Sequence, residues 1–233
     1  MNLIRKGHRK SHRGVIGVES AIVMIAFVIV AAALAFVVLN MGFSTTQKAK
    51  TTIVSSLSEA SSALQVAGKV TAIGDITLSN IRVVSIPIKV ASGGDSVNLQ
   101  NTTASIKYMS NSKEYDNIYS SALSGSAFST YSNVTQAFTA ANSNLAHFDN
   151  GNPVTSASAA PDNTKAIIYW SVRTNTNAIL DQGEHANVAI AYRIEDKPSA
   201  LDKIRVEVIV PTGAALTVER QIPSITTSVV DLG

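Results

Sequence analysis

The sequence predicts an α+β protein, a long amino-terminal α-helix followed by an antiparallel β-sandwich, on three observations. Residues 1–86 contain no proline, whereas Pro87, Pro153, Pro161, Pro198, Pro211 and Pro223 all lie beyond. Proline interrupts helices, so the first part is free to be helical and the second is broken into loops. An unbroken apolar run from Ala21 to Leu39 passes into apolar positions at helical spacing as far as Ala67. From Asp75 onward the apolar period falls to two, the repeat of half-buried strands.

The 233 residues suffice for one sizeable domain, or for a small domain plus an extended element. The net charge of +3 is unevenly placed. Arg5, Lys6, Arg9, Lys10 and Arg13 precede Gly14 with no acidic residue among them, which leaves 14 basic against 16 acidic residues, a net −2, after Gly14. The basic excess belongs to a leader, and the later Lys and Arg form no run, so the charge pattern gives no nucleic-acid surface. The absence of cysteine excludes disulfides, thiol chemistry and cysteine-ligated metal.

The 19 apolar residues from Ala21 to Leu39 match a bilayer core of ~30 Å at about 1.5 Å per helical residue. Basic residues ahead of the run keep that end cytoplasmic and send the remainder outside. A simple membrane anchor and an ordinary secretory signal both fit that much. No small-residue cleavage site closes the run, however, because it leads directly into NMGFSTTQKAK. Instead, basic residues followed by Gly14 and an apolar start at Val15 form a cleavage signal ahead of it. Cutting there removes the charges and leaves the apolar segment on the mature protein.

The stretch HRGVIGVESAIVMIAFVIVAAALAFVVLNMGFSTTQKAK resembles the amino terminus of archaellins, the filament subunits of the archaeal swimming organelle. More broadly it resembles the type IV pilin superfamily, whose class III signal is cut by a prepilin-peptidase-like membrane aspartic protease. The resemblance implies a leader over 1–14, cleavage between Gly14 and Val15, and a filament-core helix over 15–70. Gly17 then falls at the third mature position, typical of archaellins, and Glu19 at the fifth, characteristic of type IV pilins. The pair fits both branches, and the continuation through NMGFSTTQKAK favours archaellins.

Glu19 is the only charge between Arg13 and Lys48. An unpaired carboxylate in an apolar setting costs several kcal/mol, so such a residue usually has a partner. Cleavage after Gly14 creates an α-amino group four residues away, and a neighbouring subunit presents the same group. Glu19 is expected either to set axial register by pairing with such an amine or to stay solvated at the helix start, where the dipole favours it.

Ala49, Ile53, Leu57, Ala60, Leu64 and Ala67 continue one helical face, opposite Ser, Thr, Gln, Lys48, Lys50 and Glu59. These predict one helix from about Ile16 to Ala67, roughly 75–80 Å long, with a permitted bend at Gly42 and a stop at Gly68. A helix apolar all round at one end needs a membrane or a bundle of its own kind. The small residues of AFVIVAAALAFVV suit close helix–helix packing.

Beyond it, VVSIPIKV places Val84, Ile86, Ile88 and Val90 on one face, and Gly93–Asp95 reads as a hairpin turn. Thr103–Met109, Lys165–Arg173, Ala186–Ile194, Lys203–Val210, Ala215–Ile222 and Ser224–Val230 read as further strands. Turns fall around Gly183, around Pro198 and at Pro211–Gly213. Short strands at this spacing predict a β-sandwich over 75–233, with Tyr169, Trp170 and Tyr192 in or near its core. VEVIVPTGAALTVERQIP also resembles the end of archaellins, which implies an immunoglobulin-like sandwich. Around 110–164 lies a Ser/Thr/Asn-rich region: 29 of the 41 residues of Ser120–Ala160 are Ser, Thr, Asn, Ala or Gly. So few apolar groups predict long surface loops, with room for one short strand. Two N-x-Ser/Thr sequons, at Asn101 and Asn133, are candidates for N-glycosylation.

No pattern for catalysis emerges. His8 and His12 lie in the leader; His147 and His185 have no partner at a metal spacing, and Asp149–Pro153 has turn chemistry with too few oxygens for calcium. No enzyme activity, cofactor or metal is expected. The resemblance implies a structural subunit that polymerises, alone or with paralogues, into the archaellum filament outside the cell, from a precursor held in the cytoplasmic membrane. It implies as partners the signal peptidase, the archaellum assembly platform and motor, and an oligosaccharyltransferase. A type IV pilus subunit for adhesion is the closest alternative, and a monomeric membrane-anchored surface binding module a further one.

Overall fold

The computed structural model describes residues 13–61, 64–125, 128–148 and 150–233, with the side chains of the long helix described over 17–56. Most of the predicted leader, the Val15 side chain and Asp149 lie outside the described residues. The chain divides into two compact units between Ser55 and Ser56.

Helix α1 (Arg13–Ser61) has 49 residues, about 74 Å at the standard rise. The Thr45, Thr46, Thr51 and Thr52 hydroxyls each donate to the carbonyl four residues earlier, at 2.5–2.9 Å. These hydroxyl groups are thereby satisfied inside the helix. The helix stops short of the predicted Ala67. Leu64–Val66 forms strand β1, pairing Leu64 with Val90, and Gly68 follows that strand rather than capping a helix. The serines at 55, 56, 58, 61 and 62 weaken the helix end. Leu64, buried at 6% exposure, gains a core position that a further helical turn would not give it.

Three sheets follow. The largest joins β1, β2 (Thr71–Asp75), β3 (Asn80–Val90), β7 (Tyr119–Ala122), β8 (Lys165–Val172), β10 (His185–Ala191) and β13 (Val229–Asp231). Its order is β13-β2-β3-β10-β8-β7, with β1 on β3 beside β2. The second, four-stranded sheet contains β5 (Ser105–Ser110), β6 (Glu114–Tyr115), β11 (Lys203–Ile209) and β12 (Leu216–Gln221) in the order β12-β11-β5-β6. Strands β4 (Val97–Asn98) and β9 (Ile179–Leu180) pair by themselves. All pairings are antiparallel except β7 with β8. Gly93, at φ +80°, does sit in a turn, but β3 and β4 are not partners, so the predicted hairpin there does not form. The final predicted strand begins later than expected, at Val229.

The core lies between the two large sheets. Val84, Ile86, Ile88 and Val90 all point into it, as predicted, with Ile168, Trp170, Val188 and Ile190 beside them and Ile106, Tyr108, Ile204, Val206 and Val208 facing them. The larger sheet is buried on its other face too. There Val83, Ile167, Tyr169, Ala189 and Ala191 are covered by α2 (Val134–Asn144), through Ala137, Phe138 and Ala141, and by Phe148. The Ser/Thr/Asn-rich region is therefore not only loops. It supplies one helix and a second, smaller core, with the rings of Phe138 and Phe148 at 5.7 Å between centroids. Trp170, Tyr169 and Tyr192 are all buried, the first and last between the sheets and Tyr169 under the helix side.

Candidate functional site

The surface of α1 is the feature with the most to do. From Gly17 to Ser56 every residue is exposed, including Met24, Phe27, Leu34, Phe36 and Phe43 at 61–77%. Covering one such side chain is worth about 1.5–3 kcal/mol, so a stretch of this length carries tens of kcal/mol toward a bilayer or toward copies of itself. Small Ala26 and Ala31 between Val23, Phe27, Val30 and Leu34 leave a shallow apolar groove, the relief that lets helices approach closely.

At the start of α1 the predicted cleavage position, Gly14 with Val15, lies within the first helical turn. A Cβ at Gly17 would meet nothing within 4 Å, so no contact of the chain with itself demands glycine there. The Ser20 hydroxyl donates to the Gly17 carbonyl at 3.3 Å. Glu19 is exposed and makes no ion pair among the described residues.

The two sequons occupy different settings. Asn101 is exposed in a turn, and its Nδ2 donates to the Ser120 carbonyl at 2.9 Å. It borders a polar hollow lined by Gln100, Thr102, Ser121 and Ser124. Asn133 is the N-cap of α2: its Oδ1 accepts the Gln136 N–H at 2.9 Å, while Gln136 Oε1 accepts the Ser132 N–H and hydroxyl at 3.2 and 3.1 Å. The cap uses the oxygen of Asn133, and the residue is exposed. The Asn-x-x-Gln spacing is a helix-start signal that could have revealed α2.

Two buried carboxylates were not foreseen. Glu184, 1% exposed, accepts from Trp170 Nε1 at 3.2 Å and from the backbone N–H of Thr174, Asn175 and Asp181 at 2.6–3.3 Å. Asp196 accepts from the Tyr115 hydroxyl at 2.7 Å and the Thr164 hydroxyl at 2.9 Å, with Lys113 Nζ at 3.5 Å. Asp196 ties β6 of the smaller sheet to the segment leading into β8 of the larger one. The hydrogen bond to Asp196 and partial burial raise the Tyr115 phenol above its ordinary value. Both carboxylates accept from donors that the fold gathers around them. His147 stands in the turn after α2, His185 opens β10, and no group of three metal-ligating side chains occurs among the described residues.

The comparisons with known proteins bear on the whole chain. The family model for archaeal-type flagellin matches residues 14–220. A probable flagellin 1 of Aeropyrum pernix is 35% identical over 215 residues, covering 92% of this chain and 94% of that protein. A probable flagellin 1 of Archaeoglobus fulgidus is 37% identical over 97 residues, 42% of this chain and 48% of that one. Among solved structures, the archaeal flagellum of Methanospirillum hungatei strain JF1 aligns at a TM-score of 0.59 and 23% identity, over 92% of this chain and 98% of that one. Archaeal flagellin FlaB1 of Methanocaldococcus jannaschii aligns at 0.55 and 17%, over 73% and 96%. Both are similar to this chain in fold, and the alignment to the first, over 92% of this chain, takes in the long helix as well as the mostly antiparallel sheets. With the family model spanning residues 14–220 and a 35% identical relative matched over 92% of this chain, this chain belongs to the archaeal-type flagellin family.

Proposed function

We propose that the protein is the structural subunit of an archaellum filament, with α1 packed among its copies in the axis and the sandwich forming the outer wall. The observation that carries this reading is the exposed apolar surface of α1, which the rest of the chain leaves uncovered. Family membership supplies the kind of assembly that covers it.

In this reading the precursor waits in the cytoplasmic membrane with its basic leader inside. A prepilin-peptidase-like enzyme cuts between Gly14 and Val15, and the assembly platform draws the mature chain into the filament that the motor turns. Glu19 pairs with the new amino group of Val15 on a neighbouring copy, consistent with its lack of an ion partner among the described residues. Gly17 leaves room for that neighbour. The sandwich faces outward, where Asn101 and Asn133 are open to an oligosaccharyltransferase.

Deleting this gene alone, then scoring swimming and imaging surface filaments in the same cells, tests the reading. Loss of motility together with one filament type is expected, and sheared filaments should contain a chain starting at Val15. Normal swimming with lost surface attachment would instead assign the chain to an adhesive pilus, the role that Glu19 by itself would favour.

A further inference from the structure

Two turns at one end of the sandwich display aliphatic side chains that the domain does not use. The first, between β2 and β3, is fixed by Asp75, whose Oδ1 accepts the N–H groups of Thr77 and Leu78 at 3.0 and 3.2 Å. It holds Ile76 and Leu78 outward at 56% and 61% exposure. The second precedes β11 and presents Leu201 at 69% exposure. A backbone bridge between Asn80 and Ser199, and the Ile81 N–H donating to the Pro198 carbonyl at 2.9 Å, join the two into one ridge.

Leu201 is unfavourable twice over for an isolated domain. Its φ is +71°, a left-handed conformation that glycine or asparagine adopts at lower cost than leucine. Its side chain also stands in water. The conformation is over-determined: the Leu201 N–H donates to the Ile222 carbonyl at 2.7 Å, Gln221 Nε2 donates to the Leu201 carbonyl at 3.2 Å, and the Ser199 N–H donates to Asp202 Oδ2 at 2.9 Å. A strained non-glycine residue held so firmly points to a use outside the fold.

We infer that this ridge of Ile76, Leu78 and Leu201 is a contact by which one copy of the chain seats on a second copy; the inference rests on the filament reading above. Position supports a second copy as the occupant. The ridge stands at the first residue of β3, Asn80, whereas Leu64, through which the chain enters the sandwich, pairs with the last, Val90. The eleven residues of β3 set the two about 33 Å apart. An open, head-to-tail polymer needs two different surfaces, and opposite ends of a domain supply them. Chemistry supports it too, since each copy brings uncovered aliphatic surface along α1, including Ile53 and Val54.

The chain has no cysteine, so a photo-crosslinker on Leu78→Cys reports from one place. Filaments are grown from a mixture of isotopically heavy and light full-length subunits, sheared, irradiated and digested. Mixed heavy–light peptide pairs are expected. Only same-label pairs, or no pairs, in intact filaments would overturn the contact. Leu201→Asn supplies the second arm. Relief of the backbone should leave the full-length subunit in detergent melting at the same or a higher temperature, while filament mass falls about tenfold or more. Unchanged filament mass overturns the inference, and so does a parallel loss of melting temperature and filaments, which would make Leu201 part of the fold. If the unaltered chain itself forms no filament, it is the filament reading that fails, and the contact fails with it.

Discussion

Trp170 donates its indole N–H to the buried carboxylate of Glu184 at 3.2 Å, and the Arg173 guanidinium stands 5.4 Å from the centre of the same ring. The pair fastens β8 to the turn before β10, and the same carboxylate also accepts the N–H of Asp181 in that turn and those of Thr174 and Asn175 in the segment after β8. Glu184 thus does for this turn what secondary structure does elsewhere, by accepting from donors that would be left buried and unpaired.

Replacing Glu184 with Gln keeps the size and removes one acceptor. Its two oxygens each accept two N–H groups, so an amide NH₂ in either place confronts two donors. The expected cost is about 2–4 kcal/mol, the range for stranding buried donors on a lost charged acceptor. Denaturant unfolding of the full-length subunit in detergent measures it. A loss below about 0.5 kcal/mol would show that Glu184 does not hold the turn.

Asn133 separates capping from modification. Asn133→Asp keeps an oxygen for the Gln136 N–H but destroys the sequon, so stability should hold while any glycan at that site disappears from intact-mass spectra. Asn133→Ala removes both, and about 1 kcal/mol should be lost with the cap. Thr135→Ala abolishes the sequon and leaves the Asn133 cap in place. An unmodified mass for natively sourced protein at Asn133 would refute the glycan and leave the cap untouched.

How much of this was legible beforehand depends on where the stabilising contacts lie. The apolar run of α1 and the alternation at Val84, Ile86, Ile88 and Val90 are local patterns, and both read correctly. Leu64 did not, because its helical spacing from Ala60 was real but its sheet pairing with Val90 is a contact twenty-six positions away. Helix α2 was missed because its apolar face is only Ala137, Phe138 and Ala141. What makes it a helix is the outer face of β8 and β10, which the unbroken apolar run Ala166–Trp170 foreshadows, since a strand buried on both faces does not alternate. Glu184 and Asp196 were out of reach for the same reason: their donors are gathered by the fold. Gly14 and Val15 stood out as the junction of basic and apolar residues and Glu19 as the only charge between Arg13 and Lys48, whereas Gly17 stood out through the resemblance alone.

Alkaline titration should divide the six tyrosines. Burial pushes the Tyr108 phenol up to about 12, and burial also raises Tyr119, which donates to the Leu99 carbonyl, and Tyr192. A raised folded value means that folding favours the neutral phenol. The stability this provides is complete below the ordinary value of 10.0 and is lost as pH climbs through the raised values. Phenolate absorbance should therefore show part of the tyrosines ionising with the sandwich intact and the remainder appearing only with unfolding, above about pH 10. A single smooth titration of all six at the ordinary value, with the far-ultraviolet circular dichroism unchanged, would contradict the burial of Tyr108, Tyr119 and Tyr192.

The carboxy-terminal strand responds at the other end of the scale. Lys69 and Asp231 form an ion pair beside β13, and the Gly233 N–H donates to the same carboxylate at 3.0 Å. The hydrogen bond from Lys69, aided by the Gly233 N–H, lowers Asp231 below its ordinary 3.8, and the bond to Asp231 raises Lys69 above 10.5. A lowered carboxylate contributes above its unfolded value and is lost as pH falls through the folded one; a raised lysine contributes below its unfolded value and is lost as pH rises through the folded one. The clip is therefore whole between about pH 4 and pH 10 and opens outside that window. Both groups are exposed, so the effect belongs to β13 and not to the domain. Amide exchange at Gly74, whose N–H donates to the Ser228 carbonyl at 3.0 Å, and at Ala72, which pairs with Val230, should lose protection below that window sooner than exchange along β3, once intrinsic rates are corrected for pH. Asp231→Asn should show the same early opening already at neutral pH, and equal protection of β2 in both chains there would rule the clip out.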